Sequence, residues 1–320
     1  MRPLFSRNPD YNRYEQELKN LHSLLSEGKN DTVEVELVHA ALDEFEDRLT
    51  GNEMDRLNGL SADLYMLSGS EMLEPPLAGI DESTLISRTQ DALERGQWVE
   101  TLWLLRKQPR WLQDDRVAYL RGRCYARLGH LDTAHRFYGY AYRADPENND
   151  YRYQYLRSLV MVHEIGKARA LAAEWLAAHP VVPYDIQILA GTVLFLAAAA
   201  SPNRDEAQIL LDEAYTRLRS TLRAAEEAGI SDDTIFSGWV ALGRCLAVMG
   251  LIAEALNAFE TVAPEYPEAW LEYERLSHWM SQKRSLSDIQ ESFREDSIAT
   301  RLLPPSFHQE ALLGTKLLAA

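Results

Sequence analysis

Two stretches of 34 residues decide the fold: Asp115 to Asn148, DRVAYLRGRCYARLGHLDTAHRFYGYAYRADPEN, and Phe236 to Ala269, FSGWVALGRCLAVMGLIAEALNAFETVAPEYPEA. Laid one over the other, they carry the same residue types at the same offsets. Position 8 is Gly122 and Gly243, position 10 is Cys124 and Cys245, and position 11 is Tyr125 and Leu246. Position 15 is Gly129 and Gly250, position 20 is Ala134 and Ala255, position 24 is Tyr138 and Phe259, and position 32 is Pro146 and Pro267. Apolar residues within each stretch recur three and four apart, the period of a helix. A glycine at position 15 supplies the positive φ that turns the chain between two helices. The proline at position 32 stops the second helix and opens the next unit. Each stretch therefore predicts an antiparallel helix pair. A small residue at position 8 is expected to face the alanine at position 20, with the large residues at 4, 11 and 24 filling the space on either side. One pair leaves apolar faces uncovered, so such units must stack.

Neighbouring segments continue the register. A unit from Asn149 has Tyr155, Leu156, Leu159, Ala168, Ala172, Trp175 and Pro180, and one from Trp270 has Tyr273, Leu276, Ser277, Ile289 and Phe293 before Pro304 and Pro305. From Glu82 the offsets give Leu85, Thr89, Ala92, Gly96, Thr101 and Leu105. Tyr184 to Gly229 fits once about four residues around Ser201 to Arg204 are allowed as an insertion, after which Ala207, Leu211 and Ala214 continue a long second helix. Six units thus span roughly residues 82–303. Helical periodicity also runs through the chain from Pro9, with hardly an alternating run of strand length, so the predicted class is all-α. Glu74-Pro75-Pro76 and Gly79 break any helix there. Residues 1–81 are accordingly expected to form an N-terminal helical segment that ends in a linker and caps the repeats, the alternative being a separate docking surface for a basic partner through the acidic run Asp43 to Asp47, and residues 304–320 a terminal capping helix.

These offsets resemble the tetratricopeptide repeat family, whose pattern is a large residue at 4, Leu at 7, Gly or Ala at 8, Tyr at 11, Ala at 20, Phe at 24, Ala at 27 and Pro at 32. Trp239, Leu242, Gly243, Leu246, Ala255, Phe259, Val262 and Pro267 follow it closely. The unit at 115 departs at position 7, where Arg121 stands, and keeps Gly122, Tyr125, Ala134, Tyr138, Ala141 and Pro146. The resemblance implies an α-solenoid whose concave groove is lined by the first helix of each unit and holds a peptide or a partner helix. Its inward positions 2, 5, 9, 12 and 13 map here to Arg116, Tyr119, Arg123, Ala126 and Arg127 in one unit. They map to Asp150, Tyr153, Arg157, Val160 and Met161 in the next, and Arg244 occupies position 9 of the unit at 236. Family members that clamp a carboxyl terminus carry Lys at position 5 and Asn at position 9. Tyr119, Tyr153, Arg123 and Arg157 stand there instead, which argues against such a clamp.

Charge supports a local site on these residues. The chain of 320 residues has 33 Lys and Arg against 49 Asp and Glu, a net of −16. Residues 1–80 carry 7 basic and 16 acidic side chains (−9), 81–180 carry 15 and 13 (+2), and 181–320 carry 11 and 20 (−9). The middle is basic within an acidic chain. Guanidinium groups interleaved with tyrosines suit an acidic, partly aromatic segment, because Arg binds carboxylates bidentately and stacks on rings. Arg116, Tyr119, Arg123, Arg127, Tyr153, Arg157 and Arg244 are therefore the expected partner-binding residues. The bland alternative is a solvated helix face paired with Asp114, Asp115, Asp132 and Asp150.

Other classes find little support. The eight histidines show no tight ligand spacing, so no metal is expected, and no G-x-x-x-x-G-K-[ST] or G-x-S-x-G occurs. Cys124 and Cys245 share position 10 of a packing motif and read as small buried residues. No cofactor and no catalysis are expected. Overall negative charge opposes binding to a phosphate backbone, and no apolar run approaches a membrane span. Two cysteines and no leader-like apolar run point to the cytoplasm, and the Arg-rich, Lys-poor balance to a bacterial source. The expectation is a non-catalytic adaptor that binds another protein. The alternative is a self-assembling scaffold forming a homo-oligomer.

Overall fold

The computed structural model describes residues 8–67, 82–107, 114–179, 182–282 and 284–299. Among them are fifteen helices and no strand, as an all-α chain requires. The expected linker after Leu67 and the terminal helix over 304–320 lie outside the described residues, as does Pro180.

The chain divides into two compact units, the first running to Arg152 and the second from Tyr153. The first holds α1 (Pro9–Ser26), α2 (Val33–Glu46), α3 (Gly51–Leu67), α4 (Glu82–Glu94), α5 (Trp98–Arg106), α6 (Asp114–Arg127) and α7 (Leu131–Ala144). The division falls inside α8 (Asn149–Met161). The second unit continues with α9 (Ile165–Ala178), α10 (Tyr184–Ala200), α11 (Arg204–Glu227), α12 (Asp233–Met249), α13 (Ile252–Val262), α14 (Pro267–Ser281) and α15 (Leu286–Ala299).

The turns between paired helices are built alike. At position 15, Gly96, Gly129, His163 and Gly250 have φ of 69, 82, 62 and 84°. In each case this residue's N–H bonds to the carbonyl three residues back, and the next N–H bonds to the carbonyl five back. The second of these bonds runs Gln97 to Ala92, His130 to Tyr125, Glu164 to Leu159 and Leu251 to Leu246, at 2.8–2.9 Å. These are paired C-terminal carbonyl caps, and the left-handed residue that makes them is glycine in three cases out of four. Position 16 then accepts from the backbone N–H of position 20, as His130 does from Ala134 and Leu251 from Ala255, which starts the second helix.

Within the pairs, one expected contact differs. The glycine at position 8 is covered by the ring at position 24 rather than by the alanine at 20. A Cβ on Gly122 would lie 2.8 Å from the Tyr138 ring, and one on Gly243 would run into Phe259. Positions 20 and 24 lie one turn apart on the same helix face, so both are buried, and the ring simply has the reach. Gly191 plays the same part on α10 against Leu218 of α11.

In the first unit, α1 packs on α2 and α3, α4 on α5, α5 on α6 and α6 on α7. The helices before residue 82 are joined to the later ones by buried polar groups. Asp63 on α3, with no exposed surface, sits 2.9 Å from the Arg106 guanidinium of α5 and 3.3 Å from that of Arg121 on α6. Tyr125 Oη on α6 donates to the same carboxylate at 2.5 Å. Arg121, the residue that breaks the repeat pattern at position 7, is thus the partner of a helix outside the repeats. Glu15 on α1 reaches His130 in the α6–α7 turn at 3.0 Å and also pairs with Lys19.

In the second unit α10 is buried almost all round and packs on α9, α11 and α12, and α12 packs on α13. The last helix, α15, touches α14 through Arg275 and Trp279 and also reaches back to α12 and α10. Gln290 donates to the Val248 carbonyl at 2.9 Å, and Arg294 donates to the carbonyls of Ala199 and Ser201 at 2.9 and 2.6 Å. Phe293 stacks on Phe259 at 6.4 Å. A plain sixth hairpin would not reach α10. This helix instead covers the C-terminal ends of two earlier ones.

Candidate functional site

The seven expected binding residues fall in both units. Four lie on α6 in the first unit. Arg116, Tyr119, Arg123 and Arg127 follow one another at three- and four-residue steps, so helical geometry lines them up on one stripe. Tyr119 is held by neighbouring rings, with centroids 6.1 Å from Tyr138 and 5.0 Å from Tyr151. Burial pushes its phenol up, and the Arg123 charge pulls the other way. Tyr151 in turn donates to Asp115 at 3.0 Å, so that carboxylate is engaged by a phenol. Among the described residues, neither Arg116 nor Arg123 forms an ion pair. Arg127 lies over the Trp98 ring of α5, 5.6 Å from its centroid.

The other three lie in the second unit. Tyr153 and Arg157 are half-buried neighbours on α8. Burial raises the Tyr153 phenol, opposed by Arg157 and supported by Asp185 and Asp232. The Arg157 charge also acts on Tyr266. Arg244 corrects the expectation. It is only 9 % exposed and ion-paired with Glu272 of α14, whose other oxygen is 3.6 Å from Arg275. The tetratricopeptide resemblance implies an inward position for Arg244, and a carboxylate 28 residues later takes it.

A cavity of about 560 Å³ opens in the first unit, where α5 meets the helices before residue 82. Trp98, Leu102 and Trp103 of α5 form one wall, and Tyr11, Leu60 and Leu128 face them. Trp103 is 37 % exposed. Arg56, Arg106 and His130 also line the space, and Arg106 is tied by its bonds to Asp63 and to the Gly59 carbonyl at 3.2 Å. Trp98 belongs both to this cavity and to the α6 stripe, because Arg127 covers its ring. Sequence reasoning missed the cavity. The only local signal was Arg121, which is out of place in the repeat and points to a buried acid elsewhere.

Cys124 and Cys245 are free and buried, and burial pushes both thiols up to about 12, the opposite of an activated nucleophile. Among the described residues no group of three His, Cys, Asp or Glu side chains could hold a metal ion, and no helix is long and apolar enough to cross a membrane. No family model matches the chain, and no curated protein is significantly similar to it.

Proposed function

We propose that the protein is a non-catalytic, tetratricopeptide-like adaptor whose α6 stripe binds an acidic, partly aromatic segment of another protein. The observation that carries this reading is the pair Arg116 and Arg123, two guanidinium groups on one helix face without an ion pair among the described residues. Tyr119 between them is already braced by two rings, so it offers a surface that loses little freedom on contact. Arg is suited to carboxylates by its bidentate fork and to rings by its flat face. The location this reading carries is the cytoplasm.

Fluorescence anisotropy tests it, using labelled peptides rich in Asp, Glu and aromatic residues against the full chain. The double variant Arg116→Glu, Arg123→Glu is expected to weaken binding at least tenfold while the thermal midpoint stays within a few degrees, because neither side chain forms an ion pair among the described residues. Equal affinity for wild type and variant would remove the proposal. A self-assembling scaffold is the second reading, favoured by Trp270 and Leu271 of α14 at 49 and 63 % exposure. Light scattering over a concentration series separates the two.

A further inference from the structure

We propose that the cavity bounded by Trp98 and Trp103 receives a large aromatic side chain of the same acidic segment, an inference that rests on the reading of α6 just given. Three features lead there. The cavity's volume, about 560 Å³, lies within the range of pockets that enclose a small organic group. Its walls are tryptophan, tyrosine and leucine, which favour an aromatic occupant through offset and edge contacts.

The polar groups at its border select against a cation. Arg56 and Arg106 bring guanidinium groups to the cavity, and Arg127 already lies over the Trp98 ring. Of the acids there, Glu100 lies 3.6 Å from Arg88, and Asp55 is exposed to water. Guanidinium planes repel a positive group and stack on a neutral ring.

Position supplies the third feature. From Arg116 to Arg127 the helix rises about 16 Å, which an extended chain of about five residues spans. Arg127 lies over Trp98, so a segment whose first carboxylate meets Arg116 and a later one Arg123 arrives at the cavity about five residues after the first. The ligand class is therefore a short acidic run followed or preceded, at about five residues, by Trp or Phe. The charges position it, and the ring discriminates among acidic segments.

The experiment uses the full chain, its Trp103→Ala variant and the Arg116→Glu, Arg123→Glu variant. Labelled peptides carry five acidic residues with Trp or Ala at either end. Trp103 is partly exposed, so its truncation leaves the fold in place, which circular dichroism checks. With wild type, the Trp peptide is expected to bind about tenfold or more tighter than the Ala peptide. That preference should vanish in Trp103→Ala and persist, at lower affinity, in the charge-reversed variant. Equal wild-type affinity for Trp and Ala peptides would overturn the inference while leaving the α6 reading in place. If no acidic peptide binds, the α6 reading fails, and ¹⁹F spectra of neutral 5-fluoro-N-acetyltryptophanamide decide the cavity alone. Line broadening by wild type and not by Trp103→Ala supports an aromatic site, and its absence removes the site.

Discussion

Tyr125 Oη donates to Asp63 at 2.5 Å across 62 residues of sequence, and both groups are buried. The bond joins a helix of the N-terminal segment to the first helix of a repeat. Asp63 also accepts from Arg106 and lies 3.3 Å from the Arg121 guanidinium, so one carboxylate engages three groups from two helices. Burial, then the nearby Asp63 charge, pushes the Tyr125 phenol well above its ordinary value, which keeps it a donor at any working pH.

Asp63→Ala leaves the buried Arg121 guanidinium and the partly buried Arg106 guanidinium without that carboxylate. Removing one partner from a buried ionic cluster costs about 3–5 kcal/mol, because the remaining charge stays desolvated. Chemical denaturation is expected to show a loss of that size, with Arg121→Leu, which places there the residue type of Leu242 at the same offset in the unit at 236, losing less. A loss under 1 kcal/mol for Asp63→Ala would refute the cluster's role.

His22 gives a pH dependence. It is buried on α1, 3.1 Å from Ser61 and edge-on to Tyr65, and burial, then the Arg136 charge, lowers it to about 4. The unfolded chain takes up a proton near pH 6.5 that the folded chain refuses until about pH 4, so stability falls as the pH drops through that window. Glu15 acts lower. Burial raises it, but the His130 bond and the charges of His130 and Lys19 outweigh this and hold it at about 2, so its contribution is lost only below pH 4.5. Between pH 6.5 and 4.5, His22→Gln is expected to reduce the slope of stability against pH by up to about 1.4 kcal/mol per pH unit. Urea midpoints at three pH values measure it, and parallel lines for the two proteins would contradict it.

His163 stands where the other turns have glycine, with φ of 62°. A side chain in the left-handed region costs about 1 kcal/mol. His163→Gly is therefore expected to leave stability unchanged or raise it by up to about 1 kcal/mol, against the usual penalty for added glycine. Gly129→Ala should destabilise by about 1–2 kcal/mol in the same assay. Equal effects of the two substitutions would show that the turn does not depend on this conformation.

Gly243 tests the close approach of paired helices. A methyl group there meets the Phe259 ring, so overpacking should cost about 1–3 kcal/mol. Phe259→Leu added to Gly243→Ala is expected to recover part of that loss, since a smaller side chain yields space. Strict additivity of the two losses would place the strain elsewhere.

Contacts set by spacing were legible in the residues themselves. The offsets place the turns at Gly96, Gly129 and Gly250, because a turn between paired helices is a local demand on φ, whereas His163 carries no glycine to announce its turn. The pairing of Gly122 with Tyr138 was half legible: the face was right and the partner one turn off. Asp63 with Arg121, and Arg244 with Glu272, were not. Such pairs obey no period, since they depend on which helices meet. The cavity beside Trp98 was hidden for the same reason, being formed by residues from Tyr11 to His130 that share no pattern.

The reach of α15 bears on how the chain is shortened in the laboratory. A fragment ending ahead of Leu286 would lose the side-chain donors that serve Val248, Ala199 and Ser201 and would bare the ring of Phe259. Adhesion of such a fragment to apolar ligands would then report the wound of truncation rather than a native affinity.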